Sequence, residues 1–256
     1  MKIFIIVAGI AVLGLIFLRK YLLTEKRIKL GSFFFRPRNL FRHEAAEAPT
    51  EVTAAEFIPM PTEVDEKSRA KADSLIKKAD VHAGKNDEKG AEKLLIQALS
   101  VDPSSLEAYK RLAYLYLRQG QFGKAESIYR KLIVTITEDP TLLSNLGMAL
   151  YSQQKLEDAK FFYRKALEVD TQRPGRFFSL GRILYELSEF EEALEHFKRA
   201  VAMDPSNLDY LLTLAHYYMN HGMHVDARTL LEEIVLAFPE CAEAQEMLTL
   251  LKESTS

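Results

Sequence analysis

From Ala72 onward, small and large apolar residues recur every 34 positions without an insertion. Five units fit: 72–105, 106–139, 140–173, 174–207 and 208–241. A period this regular excludes one unrepeated core and demands that each unit bury its apolar face against its neighbours. The fourth unit shows it best, in FFSLGRILYELSEFEEALEHFKRAVAMDPSN. Apolar residues there return at helical spacing in two segments, so each unit is expected to be two helices joined by a turn.

Counting places from the start of each unit, small residues hold the eighth (Ala79, Ala113, Gly147, Gly181, Ala215) and the twentieth (Ala91, Ala125, Ala159, Ala193, Ala227). Large apolar residues hold the fourth (Leu75, Tyr109, Leu143, Phe177, Leu211) and the twenty-fourth (Leu95, Tyr129, Tyr163, Phe197, Leu231). This predicts two helices in close approach, with bulky side chains interlocking around the crossing. Pro103, Pro205 and Pro239 hold the thirty-second place, where a helix should stop, and Ser104, Ser105 and Ser206 are natural caps. Pro140 and Pro174 instead open their units, as the first turn of a helix allows. Leu132 and Ile234 are oversized for a small-residue column and predict wider helix spacing. Lys78 and His82 in core places of the first unit read as the wettable end of a stack. After the fifth unit, Met247, Leu248 and Leu251 share one face of a closing helix.

These columns resemble the tetratricopeptide-repeat family over Ala72 to Glu240. The resemblance implies an all-α fold, a right-handed superhelical solenoid of five hairpins with a capping helix over 242–253, in a domain spanning 66–256. It further implies a concave face lined by the first helices. The lining places supply Lys110, Tyr114 and Arg118, then Asn145, Met148 and Tyr151, then Phe178, Arg182 and Tyr185, then His216 and Met219. Aromatics and methionine offer adaptable apolar contact, and Lys and Arg pair with acids. The implied partner is an extended or helical protein segment, and about half of the lining residues are expected to pack against a neighbouring hairpin. The family's carboxylate clamp is matched by Lys110 and Asn145 but not by Tyr114, Gly175 and Ser179, so that ligand is not expected.

Ahead of the repeats, Ile3–Leu18 carries no polar side chain. Sixteen helical residues span about 24 Å, slightly under the roughly 30 Å hydrocarbon core. Lys2 and Arg19 can snorkel at its ends. We read 1–20 as a single transmembrane anchor; a cleaved export signal is the rival, but Arg19 and Lys20 follow at once with no cleavage-site pattern. Residues 19–42 then carry eight cations (Arg19, Lys20, Lys26, Arg27, Lys29, Arg36, Arg38, Arg42) against one acid, with Phe33, Phe34, Phe35 and Phe41 among them. Cations near an anionic leaflet contribute about 1 kcal/mol each, and the rings suit the headgroup boundary. The expectation is a lipid-contacting segment, and the cation excess after the span places the C-terminal domain in the cytoplasm. The alternative is a solvated tether. A nucleic-acid arm is disfavoured, because the chain nets −2 overall and the residues from His43 onward are strongly acidic. Residues 43–65 hold six acids, three prolines and no Lys or Arg, and read as an extended linker.

Little chemistry is written in the chain. Cys241 is the only cysteine, so neither an internal disulfide nor a multi-cysteine metal site is possible. His216, His221 and His224 do not share one helical face. Neither a phosphate loop nor a nucleophile motif occurs. No catalysis, cofactor, metal or small-molecule substrate is expected. The anchor-plus-repeat layout resembles the bacterial lipopolysaccharide assembly protein B type and the mitochondrial import receptors. The expected function is a membrane-anchored scaffold for a client protein; the alternatives are an exported, tethered assembly factor or a regulatory subunit of a membrane complex.

Overall fold

The computed structural model describes residues 64–254, in which there are eleven α-helices and no strand. They are α1 (Glu66–Gly84), α2 (Glu88–Val101), α3 (Leu106–Arg118), α4 (Phe122–Thr135), α5 (Pro140–Tyr151) and α6 (Leu156–Val169). Then come α7 (Pro174–Glu186), α8 (Phe190–Met203), α9 (Leu208–Asn220), α10 (His224–Ala237) and α11 (Ala242–Ser254). Successive pairs pack as hairpins, and each hairpin packs on the next, in a superhelical array. Among the described residues no helix is long and apolar enough to cross a membrane. The expected anchor, basic segment and most of the acidic linker lie outside the described residues.

The hairpin is held by a size match where its helices cross. All ten residues of the two small columns are buried. A Cβ added at Gly147 would sit 2.7 Å from the Tyr163 ring, and one at Gly181 would sit 2.8 Å from the Phe197 ring. In the first and fifth hairpins the same columns hold Ala79 and Ala215, and Leu95 and Leu231, all four buried. Leu132 and Ile234 are fully enclosed, and the second and fifth hairpins that hold them are the two in which the helices run less closely together.

Every intra-hairpin turn uses one geometry. The fifteenth place has positive φ in all five units: Asn86 (59°), Gly120 (74°), Gln154 (61°), Ser188 (64°) and Gly222 (71°). The next residue's N–H then reaches back to the eleventh-place carbonyl, as in Lys155 to Leu150 at 3.0 Å and Glu189 to Leu184 at 2.9 Å. This is the helix-terminating Schellman bond. Glycine takes that backbone without strain, whereas a side chain costs about 1 kcal/mol.

Helix starts follow the expectations at Pro140, Pro174 and Ser105 but not at Ser104 and Ser206. Pro140 and Pro174 open α5 and α7. Ser105 caps α3, accepting from the Ala108 N–H. Ser104 and Ser206 do not cap; each donates its hydroxyl to an aspartate, Asp102 (2.6 Å) and Asp204 (3.1 Å), and Asn207 caps α9 instead. Asp65, the last linker residue, caps α1. At the array's start Lys78 is exposed and His82 bonds Asp87 at 2.6 Å. Val81 is 56% exposed at a place where Leu115, Ala149, Ile183 and Tyr217 are buried. The first hairpin is therefore a wetted end. At the far end α11 buries Ala244, Met247 and Leu251, with Leu248 half-buried.

Polar bonds between adjacent second helices also repeat. Arg130 meets Asp158 and Arg164 meets Glu192, both 28 residues apart. Glu126 meets Lys155 at 2.7 Å, and one unit later Lys160 meets Glu189 at 2.7 Å, with the signs exchanged. Burial pushes the Glu126 carboxyl up, but bonds from Lys155, Arg130 and Gln153 outweigh it and hold the group below its usual range.

Two outcomes follow for denaturant unfolding. Gly181→Ala lowers stability by about 1–2 kcal/mol through overpacking, despite its better helix propensity, and adding Phe197→Leu recovers most of the loss. Ser188→Gly and Gln154→Gly each raise stability by about 1 kcal/mol by relieving the left-handed backbone.

Candidate functional site

The first helices α3, α5, α7 and α9 carry the residues that the sequence marks for docking, and α1, α3, α5 and α7 are joined to one another in order by polar bonds. Arg111 of α3 reaches back to Asp80 of α1 at 2.9 Å. Lys110 reaches forward to Asp139 at 3.1 Å. Asp139 is the N-cap of α5, accepting from the Thr141 and Leu142 N–H groups. Arg176 of α7 is almost wholly buried and holds Asp170 at 2.5 Å. Tyr151 of α5 donates its hydroxyl to Glu186 and accepts from Arg182 Nη2 at 3.0 Å, while the Arg182 guanidinium lies 5.2 Å from the Tyr151 ring centre. Burial raises the Tyr151 hydroxyl's pKa well above the ordinary value, so it remains a donor at neutral pH.

The eleven expected groove residues therefore divide. Lys110 is committed to Asp139, and Arg118 lies 3.5 Å from Glu88. Asn145 donates to Tyr129 Oη at 3.2 Å. Phe178 packs 4.5 Å from Tyr210 and 5.9 Å from Phe197. Tyr185 sits in a ring cluster with Phe190, Tyr217 and His221, and Met219 packs against the core. Tyr151 and Arg182 form the bonds given above. His216 lies 3.4 Å from Glu243 of α11. Tyr114 and Met148 remain: both are exposed, at 52% and 37%, and both occupy the ninth place of adjacent units. The twelve expected lipid-contacting residues, from Arg19 to Arg42, lie outside the described residues.

Sequence reasoning missed the partners. Glu186 and Asp139 were not singled out, although an aspartate directly before Pro140 is a recognisable cap signal. It also missed exposed apolar side chains on the second helices, among them Val134, Phe161 and Leu236. Phe161 lies edge-on to Phe162, with the Lys165 ammonium over its ring at 4.6 Å.

The three neighbouring histidines are separate. His221 stacks on Tyr217 at 4.1 Å, and its Nδ1 lies 2.9 Å from the Tyr217 carbonyl oxygen. His224 is exposed at the start of α10. Among the described residues no cluster of three His, Cys, Asp or Glu side chains is placed to hold a metal ion. Burial lowers the His216 pKa to about 4, and burial also lowers that of His196.

Two family profiles described as tetratricopeptide repeat match the chain, one over 82–142 and 184–251 and the other over 138–206. The type IV pilus assembly protein PilF of Pseudomonas aeruginosa is 34% identical over 65 residues, which is 25% of this chain and 26% of that relative. The chain thus spans about a quarter of its curated relative. Among solved structures, YrrB, described as a TPR protein with an unusual peptide-binding site, aligns with TM-score 0.59 and 21% identity over 71% of this chain and 92% of its own. A tetratricopeptide repeat protein from Parabacteroides merdae aligns with TM-score 0.63 and 18% identity, covering 71% and 72%. At these identities the structural likeness speaks for the fold.

The buried histidine sets a pH dependence. His216 is neutral when folded down to about pH 4, whereas an unfolded histidine takes up a proton near pH 6.5. Stability is full above that value and falls as pH drops from about 6.5 towards 4, by about 3 kcal/mol. Urea unfolding across this window should show the slope, and His216→Gln should flatten it. The carboxylates held below their usual range, such as Glu126 and Asp139, act at lower pH.

Proposed function

The chain belongs to the tetratricopeptide-repeat family, whose members are protein-interaction scaffolds, and from that premise we propose a membrane-anchored scaffold that docks a client protein segment on its first-helix face. The observation that carries the docking is the pair Tyr114 and Met148. They are large apolar side chains left to solvent at one register place of adjacent units, while the polar groups around them are bonded within the protein. The anchoring is supported by the apolar run Ile3–Leu18 and the cations after it. The mechanism is localisation: a groove held at the bilayer raises the client's effective concentration there. A regulatory subunit of a membrane complex would use the same face.

A second reading is favoured by the match to PilF, a pilus assembly protein. In it the repeats lie outside the cytoplasm as a tethered envelope-assembly factor. The two readings differ in sidedness, and a topology reporter fused after Ser256 separates them. Activity on the cytoplasmic side is expected; activity confined to the outer side selects the second.

Photo-crosslinking residues placed at positions 114 and 148 in intact membranes should capture one protein species. A probe at Lys198, exposed on α8, should not capture it. Equal capture from all three positions overturns the first-helix face as the docking surface.

A further inference from the structure

We propose that the docked segment is uncharged and rich in apolar side chains, seated on Tyr114 and Met148 where α3 adjoins α5. This inference rests on the docking reading above. Three observations carry it. First, α5, with the sequence PTLLSNLGMALY, contains no charged residue. Second, charges one helical turn from Tyr114, or at and one turn beyond the place equivalent to Met148 in the next unit, are bonded within the protein. Lys110 is held by Asp139 and Arg118 by Glu88, and both Arg182 and Glu186 bond Tyr151. Third, the two exposed groups are an aromatic ring and a thioether, which present polarisable apolar area without charge.

The consequence is a complementarity of neutrality. An acidic segment reaching for Lys110 would strip that lysine from Asp139, which at the same time caps α5. A basic segment reaching for Glu186 would compete with Tyr151. In the first case the ligand's charge loses its water and gains a partner by unpairing another charge, and in the second by displacing a half-buried phenol donor. A segment of leucine, phenylalanine and small polar residues meets no such cost.

The chain contains no tryptophan, so Tyr114→Trp places a single fluorophore at the site. The full-length variant, in nanodiscs of neutral lipid, is titrated with an end-blocked peptide pool built from Leu, Phe, Ala, Ser and Gln. Matched pools carry Glu or Lys at every third position. If Tyr114→Trp does not fold, Met148→Trp reports from the adjoining unit. The neutral pool is expected to give a saturable blue shift whose affinity changes less than about twofold between roughly 0.05 and 0.5 M salt. Both charged pools should bind at least about tenfold more weakly, and Met148→Glu in the Tyr114→Trp background should weaken the neutral pool by a similar factor. Equal or tighter binding of a charged pool, or a steep loss with salt, overturns the ligand chemistry and leaves docking intact. No shift from any pool also overturns it, and, joined to absent cross-links from positions 114 and 148, overturns the docking reading too.

Discussion

The array depends on one steric match: a residue no larger than alanine faces a bulky side chain where the two helices of each hairpin cross. Gly147 against Tyr163 and Gly181 against Phe197 are its tightest instances. Interiors pack at crystal-like density, so such a crossing tolerates little change in volume. Each hairpin thereby becomes a body of similar shape, and similar bodies stack in a repeating way. The recurring bonds between units, such as Arg130 to Asp158 and Arg164 to Glu192, are the product of that constancy.

The same constancy shapes the face of the first helices, the proposed docking surface. First helices brought together at a fixed offset satisfy one another's polar groups: Lys110 finds the cap of the next first helix, and Tyr151 finds Arg182 and Glu186. What remains for a partner is the apolar remainder, Tyr114 and Met148. A residue's position on the lining face and its availability to a ligand are thus different properties. The stack sets the second by spending most of the side chains on itself.

The columns were legible because packing acts at a fixed sequence interval, so the size alternation, the enclosed Met247 and Leu251, and the prolines opening α5 and α7 could all be read from residue type. Glycine marks the left-handed turn place only at Gly120 and Gly222. Equivalent places hold Gln154 and Ser188, whose left-handed backbone is imposed by hydrogen bonding rather than chosen by the side chain. The fate of Lys110 was hidden for another reason: its partner lies 29 residues away and is set by the offset between units. Ser206 looked like a cap, but Asp204 took its hydroxyl, and the neighbouring Asn207 served in its place.

The exchanged signs of two equivalent bonds, Glu126 with Lys155 and Lys160 with Glu189, reach beyond their own strength. If the third hairpin were skipped, Glu126 would confront Glu189. If it were duplicated, Lys160 would confront Lys155. Either error sets like charges together at partly enclosed positions, where repulsion is poorly screened. A chain of near-identical modules thereby carries an internal checksum against slipped pairing, intertwined dimers and the loss or gain of a module through unequal recombination.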